Sequence, residues 1–127
     1  MEPTDEDCLV YFEQIRWGQH PQCPYCSSLN NTPIEKEKRY HCNTCFNSYS
    51  VTVGTMFHRT HIPLRKWFMA IFLLSDTEIR PSIRQLARAI GVSKNTATSM
   101  IKRINSATAE DLQLMQQIKD FVEGWDI

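Results

Sequence analysis

Two Cys-x-x-Cys pairs, Cys23 with Cys26 and Cys42 with Cys45, constrain this chain more than any other feature. Zinc takes four thiolates at the corners of a tetrahedron, and a structural site is closed when the protein supplies all four. A Cys-x-x-Cys turn puts two sulfurs on one ion with backbone N–H groups nearby, so two such turns on separate hairpins supply four corners. The interval from Ser27 to His41 is fifteen residues, which fits the C-x₂-C-x₁₅₋₂₀-C-x₂-C zinc pattern. The reading is one structural zinc on Cys23, Cys26, Cys42 and Cys45. A redox or disulfide role for the pairs is the alternative, and iron can occupy the same sulfurs; colour separates iron from zinc. Four thiolates on a divalent cation leave a net charge of about −2, which Lys36, Lys38 and Arg39 in the intervening loop can offset. A segment of about 35 residues buries little apolar surface, so metal binding supplies much of its folding free energy.

The chain has 127 residues, enough for one domain or two very small ones. Its N-terminus, MEPTDEDC, is acidic and lacks the apolar run of a secretory signal. The longest apolar run, Trp67 to Leu74, is eight residues, against about 20 for a bilayer span. These observations point away from the membrane and toward the cytosol, where thiols stay reduced and paired cysteines serve metals or redox chemistry. The fifth cysteine, Cys8, makes the count odd, which argues against a closed disulfide framework. Cys8 reads as a small core residue. His20 and His41 adjoin the pairs without being needed as ligands, and His58 and His61 read as surface or packing residues.

Net charge is zero but segregated. Residues 1–22 hold five acids and one base, residues 23–62 two acids and four bases, residues 63–105 two acids and eight bases, and residues 106–127 five acids and one base. A middle segment at +6 between ends at −4 each points to a localised anionic partner, most simply nucleic acid. An ordinary solvated face is the plainer alternative.

Residues 5–16 predict a helix with Cys8, Leu9, Phe12 and Ile15 on one face, capped by Asp5 and stopped by Gly18. Arg39–Cys42 and Ser48–Val53 read as short strands, and Ser27–Pro33 as turn. A largely buried helix follows Pro63, and Asp76 to Pro81 reads as loop. Ser82 caps a second helix ended by Gly91, and Ser93 caps a third. In these two, Ile83, Leu86, Ala87 and Ile90, then Ala97, Met100, Ile101 and Ile104, each fall within an arc of about 100°. Two short helices joined by Gly91-Val92-Ser93 make a helix-turn-helix pattern. Opposite its stripe the third helix carries Lys94, Asn95, Thr98, Ser99, Lys102 and Arg103, side chains suited to base edges and phosphates in a major groove. Arg84, Arg88 and Lys66 are candidates for the DNA backbone. A polar helical hairpin without a DNA role is the plainer alternative. A last helix starts near Thr108 with Asp111 completing its cap; its stripe of Leu112, Met115, Ile118 and Val122 packs on the chain's own core or forms a homodimer seam.

The stretches DEDCLVYFEQIRW (5–17), CPYC (23–26), RYHCNTCFNSYSVTVGTMFHRTHIPLRKWFMAIFLL (39–74) and RQLARAIGVSKNTATSMIKRI (84–104) together resemble the N-terminal region of bacterial insertion-sequence transposases with a zinc ribbon, a group related to eukaryotic Merlin elements. The resemblance covers about residues 5–105. It implies zinc on Cys23, Cys26, Cys42 and Cys45, a helix-turn-helix over Ile83–Ile104, and recognition of the element's terminal repeats. In that family a catalytic domain with an acidic metal-binding triad normally follows. Ser27 departs from the family, standing where such ribbons often carry Gly. Glu110, Asp111, Asp120, Glu123 and Asp126 lie in one short segment and read as solvating residues rather than a catalytic triad.

The expectation is therefore a small α+β protein: an N-terminal helix (1–20), a four-cysteine zinc ribbon (21–57), a three-helix helix-turn-helix core (62–106) and a C-terminal helix (107–127). It is expected to bind duplex DNA sequence-specifically, in the cytoplasm with the nucleoid, and not to be an enzyme in itself. Three alternatives stay open: a free-standing regulator or antitoxin using the same contacts, a zinc-ribbon protein-interaction module, and a thiol oxidoreductase.

Overall fold

The computed structural model describes residues 3–58, 60–75 and 81–125. They form a small α+β chain of α1 (Asp5–Trp17), β1 (Asn31–Ile34), β2 (Arg39–Cys42), β3 (Ser48–Tyr49), α2 (Leu64–Ser75), α3 (Ile83–Ile90), α4 (Lys94–Asn105) and α5 (Ala109–Glu123). Two compact units result, Leu9–Thr60 and Met1–Cys8 with His61–Ile127, so the division falls inside α1. The expected loop over Asp76–Pro81 lies outside the described residues except for Pro81, as does Asp126.

The start of α1 is capped reciprocally. Thr4 N donates to Asp7 Oδ2 at 2.9 Å and Asp7 N donates to Thr4 Oγ1 at 3.2 Å. Thr4 is thus the cap expected of Asp5, and the Asp5 carboxylate instead accepts the Arg65 N–H at 3.2 Å. Cys8 and Phe12 are fully buried, while Leu9 and Ile15 are half-buried.

In the unit Leu9–Thr60 the sheet runs β1-β2-β3, antiparallel throughout. The strand β1 occupies residues that read as turn. Its Asn-Thr-Pro composition disfavours strand, but Pro33 is exposed on the sheet's outer strand, where a missing N–H breaks no ladder. The third strand stops at Tyr49, short of the expected Val53. Its register sets Tyr40 opposite Tyr49, so the next pair would use Arg39, and Lys38 beyond it turns left-handed with φ 54°. With no partner left, the chain coils through local bonds, Val53 N to Ser50 O at 3.2 Å and Thr55 N to Thr52 O at 3.1 Å. Val51 still points inward and is fully buried, and its carbonyl accepts from the Arg16 guanidinium. Aromatic edges fill the core: Phe12 against Phe57 at 5.2 Å, and Trp17 against Tyr40 and Tyr49 at 5.6 and 5.7 Å.

In the helical unit α3, α4 and α5 all pack on α2, whose Trp67, Phe68, Ala70 and Ile71 are buried. The caps fall where the sequence places them. Ser82 and Gln85 cap each other's backbone at α3, Ser93 accepts from Thr96 N at α4, and Thr108 and Asp111 form a second reciprocal box at α5. Gly91 ends α3 with φ 73°, a conformation that costs an L side chain roughly 1–2 kcal/mol. Leu86, Ala87, Ile90, Ala97 and Met100 are buried; Ile83, Ile101 and Ile104 are half-buried.

The α5 stripe divides. Ile118 and Val122 are fully buried, but Leu112 is 56% exposed and Met115 half-buried. Both line a groove of about 550 Å³ with Ile71, Leu74, Ile101 and Ile104. Instead of Leu112, Phe121 and Trp125 complete the packing, with Phe121 edge-on to Phe68 at 6.1 Å. Two of the four stripe residues are therefore committed to the chain's own core. Ile118→Ala is expected to cost about 2–5 kcal/mol and Leu112→Ala within roughly 0.5 kcal/mol, measured by urea denaturation followed by circular dichroism. Equal costs would contradict this packing.

Candidate metal centre

Both Cys-x-x-Cys turns close as similar knuckles. In the first, Ser27 N donates to Cys23 O at 2.9 Å and Tyr25 N to Cys23 Sγ at 3.4 Å. In the second, Phe46 N donates to Cys42 O at 3.0 Å and Cys45 N to Cys42 Sγ at 3.4 Å. The residue after each second cysteine is left-handed, Ser27 at φ 65° and Phe46 at φ 66°. That twist returns the chain, so that Cys23 N meets Ser28 O at 3.0 Å and Cys42 N meets Asn47 O at 2.9 Å. The knuckles are also tied to each other. Ser28 Oγ and Thr44 Oγ1 share a hydrogen bond of 2.8 Å, and Asn43 N donates to Asn30 O at 2.9 Å. This clasp had no signal in the spacing of the cysteines.

The consequence is convergence of four sulfurs. The Sγ atoms of Cys23, Cys26, Cys42 and Cys45 all lie within 4.8 Å of one another. Cys23 and Cys45 approach to 3.6 Å and Cys26 and Cys42 to 3.5 Å. A disulfide needs about 2.05 Å, whereas sulfurs about 2.3 Å from one tetrahedral ion stand about 3.8 Å apart. The site therefore fits one zinc ion, and with all four corners taken from the protein the metal is structural. Cys8 and the histidines are not in the cluster, which holds only the four cysteines among the described residues. His58 Nδ1 instead accepts Gly54 N at 3.1 Å.

N–H groups are aimed at the sulfurs of the second knuckle. The backbone N–H of Cys45 is the largest influence pushing the Cys42 thiol down to about 6, and Asn47 Nδ2 reaches Cys45 Sγ at 3.5 Å. The expected offset by cations takes another form: Lys36 and Lys38 are exposed in the β1–β2 turn, and Arg39 donates to Ser48 O at 3.2 Å. On the interior side, Tyr49 is packed with Cys23 and Cys42 in one buried cluster. Burial first, then the charges of Cys23 and Cys42, push its hydroxyl up to about 12.

Residues 3–48, which contain the whole sulfur cluster, match the transposase zinc-ribbon domain family. The sulfur cluster thus lies in a segment similar to the zinc ribbons of transposases. An uncharacterized protein in transposable element ISH50 of Halobacterium salinarum is 33% identical over 93 residues, 71% of this chain. The chain spans 31% of that relative's length. No solved structure matches the chain significantly.

Beyond the ribbon, the polar residues singled out for DNA sit on the helical unit. Lys94, Asn95, Ser99 and Lys102 are exposed on α4, with Thr98 and Arg103 half-buried; Arg84 and Arg88 are exposed on α3. Thr98 Oγ1 donates to Lys94 O at 3.0 Å. Lys66 is placed differently from its neighbours: its ammonium donates to Gly91 O at 2.8 Å, securing the α3–α4 turn to α2. No helix among the described residues is long and apolar enough to cross a membrane.

The strain at the first knuckle makes a prediction. Ser27→Gly should stabilise the zinc-loaded ribbon by about 1 kcal/mol, read as a higher thermal midpoint. A second follows from the cluster: Cys26→Ser should lose the one zinc per chain that Cys8→Ser retains, by metal quantitation after gel filtration.

Proposed function

We propose that this chain recognises duplex DNA sequence-specifically, as the terminal-repeat-binding part of a transposase. The supporting observation is the division of α4 into two faces. Ala97 and Met100 are buried against the bundle, while Lys94, Asn95, Ser99 and Lys102 are exposed on a segment with net charge +6. A short helix that is anchored on one side and polar and basic on the other suits a major groove, where amide and hydroxyl groups read base edges and cations meet phosphates.

In this reading residues 62–106 are the recognition module. The α3–α4 turn sets the angle at which α4 is offered, and Lys66 holds that turn through the Gly91 carbonyl. The remaining ammonium hydrogens of Lys66, together with Arg84 and Arg88, serve the phosphate backbone. Phosphate contacts fix position and carry salt-dependent affinity, while Asn95, Thr98 and Ser99 carry sequence preference. The ribbon enters as a zinc-dependent fold of the same polypeptide, and the family match of residues 3–48 is what ties the reading to transposition.

Duplex affinity measured against salt tests this. With Lys102→Ala and Arg103→Ala combined, affinity should fall and the slope of log affinity on log salt should shrink by about one per lost phosphate contact. An unchanged affinity and slope in a folded double variant would refute the assignment.

A further inference from the structure

We propose that the outer face of the ribbon's sheet binds unpaired nucleotides of DNA, with a base stacked on the Phe46 ring and phosphates held by Arg39, Lys36 and Lys38. The site uses none of the α4 residues proposed for duplex DNA and does not depend on that reading.

The starting point is a side chain that the fold does not explain. Phe46 follows the second knuckle with φ 66°, and its side chain is 74% exposed. A lone exposed apolar residue is ordinary on a protein surface. A bulky residue with positive φ is not, because its Cβ crowds the backbone there. Glycine would close the knuckle without that strain, and the matching position of the first knuckle carries the small Ser27 at φ 65°. Phe46 thus combines backbone strain with apolar surface left in water. Strain of this kind collects where ligands are held.

The strand register shows what lies beside the ring. Tyr40 is opposite Tyr49, and both pack on the interior side with Cys23 and Cys42. Alternation along the strands therefore turns Arg39, His41 and Ser48 to the other side. Opposite residues share a face, so Thr32 and Ile34 of β1, the partners of His41 and Arg39, join them. Phe46 reaches this side as well, its ring centroid 6.4 Å from that of His41. The Arg39 guanidinium lies across it and donates to Ser48 O at 3.2 Å and Ser48 Oγ at 3.4 Å. Both bonds leave from one nitrogen of a group with five N–H donors. The strands themselves, NTPI, RYHC and SY, contain no acid. Glu35 and Glu37 lie in the β1–β2 turn together with the exposed Lys36 and Lys38.

An exposed ring beside cations is the combination that holds single-stranded nucleic acid: bases stack on the ring while phosphates follow the charge. Paired bases are already stacked on one another, so the occupant is a strand with unpaired bases. An apolar protein partner is poorly matched to a face that also carries Arg39, His41, Thr32 and Ser48. The similarity of residues 3–48 to transposase zinc ribbons favours DNA over RNA.

Fluorescence anisotropy with labelled oligo-dT of about 12 nucleotides, on the zinc-loaded full chain, tests this with Phe46→Gly and Phe46→Tyr. Phe46→Gly should keep its zinc and a thermal midpoint no lower than the wild type's. It should nevertheless bind oligo-dT about tenfold more weakly, with duplex affinity unchanged. Phe46→Tyr, which keeps a stacking ring, should bind as the wild type does. A second readout needs no variant: on addition of oligo-dT to the wild type, the amide NMR signals of Arg39, His41, Phe46 and Ser48 should shift. The proposal is overturned by a wild type that does not bind oligo-dT, by shifts confined to α3 and α4, or by undiminished oligo-dT affinity in Phe46→Gly. An equal fall in the duplex affinity of Phe46→Gly overturns it too, as does tighter binding of oligo-U than of oligo-dT. Failure of the α4 assignment shows instead in Lys102→Ala with Arg103→Ala, and leaves the Phe46 result standing.

Discussion

Four sulfurs on one cation hold the ribbon together. The unit Leu9–Thr60 has three strands of four, four and two residues, too little sheet to be stable by pairing alone. Its knuckles place Ser27 and Phe46 in a conformation that L residues avoid. They also crowd four thiols into a space where, without a metal, they offer one another only weak S–H hydrogen bonds. A divalent ion reverses each liability. It links residues 16 to 22 apart in sequence, gives the buried sulfurs an electrostatic partner, and makes the strained turns worth keeping. Folding and metal binding are then one equilibrium.

The helical unit rests on a different principle. It needs no cross-link because α2 offers apolar side chains to three other helices, and reciprocal caps begin α3 and α5. With Ala97 and Met100 buried and Ile101 and Ile104 half-buried on one side, the opposite face of α4 is free to be polar and basic. The chain thus divides its labour. One unit carries the metal centre, and the other contains the basic segment 63–105 with its net charge of +6.

Much of this was legible in the residues because it is local. The metal ligands announce themselves by spacing, and Ser82, Ser93 and Thr108 announce their helices because a cap acts within three residues. What was hidden is non-local or degenerate. The strand β1 has turn-forming residues and exists because β2 pairs with it. Val53 keeps the alternation of a strand but has no partner to make it one. Thr4 and Asp5 are adjacent residues that can both cap a helix, and only coordinates choose between them. Lys66 looked like a free cation because Gly91 is 25 residues away. Leu112 fits the α5 stripe by periodicity, yet the end of α2 and of α4 leave it over a groove. The proposed DNA-facing surface was drawn from the helical wheel, and Lys94, Asn95, Ser99 and Lys102 are exposed there.

The most direct measurement is a pair of amide correlation NMR spectra of the zinc-loaded chain, before and after removal of the metal by a strong chelator. The account predicts that resonances from residues 9–60 collapse into the narrow range of an unfolded chain while those of the helical unit keep their dispersion. A verified zinc-free sample whose ribbon resonances stay dispersed and unmoved would contradict it.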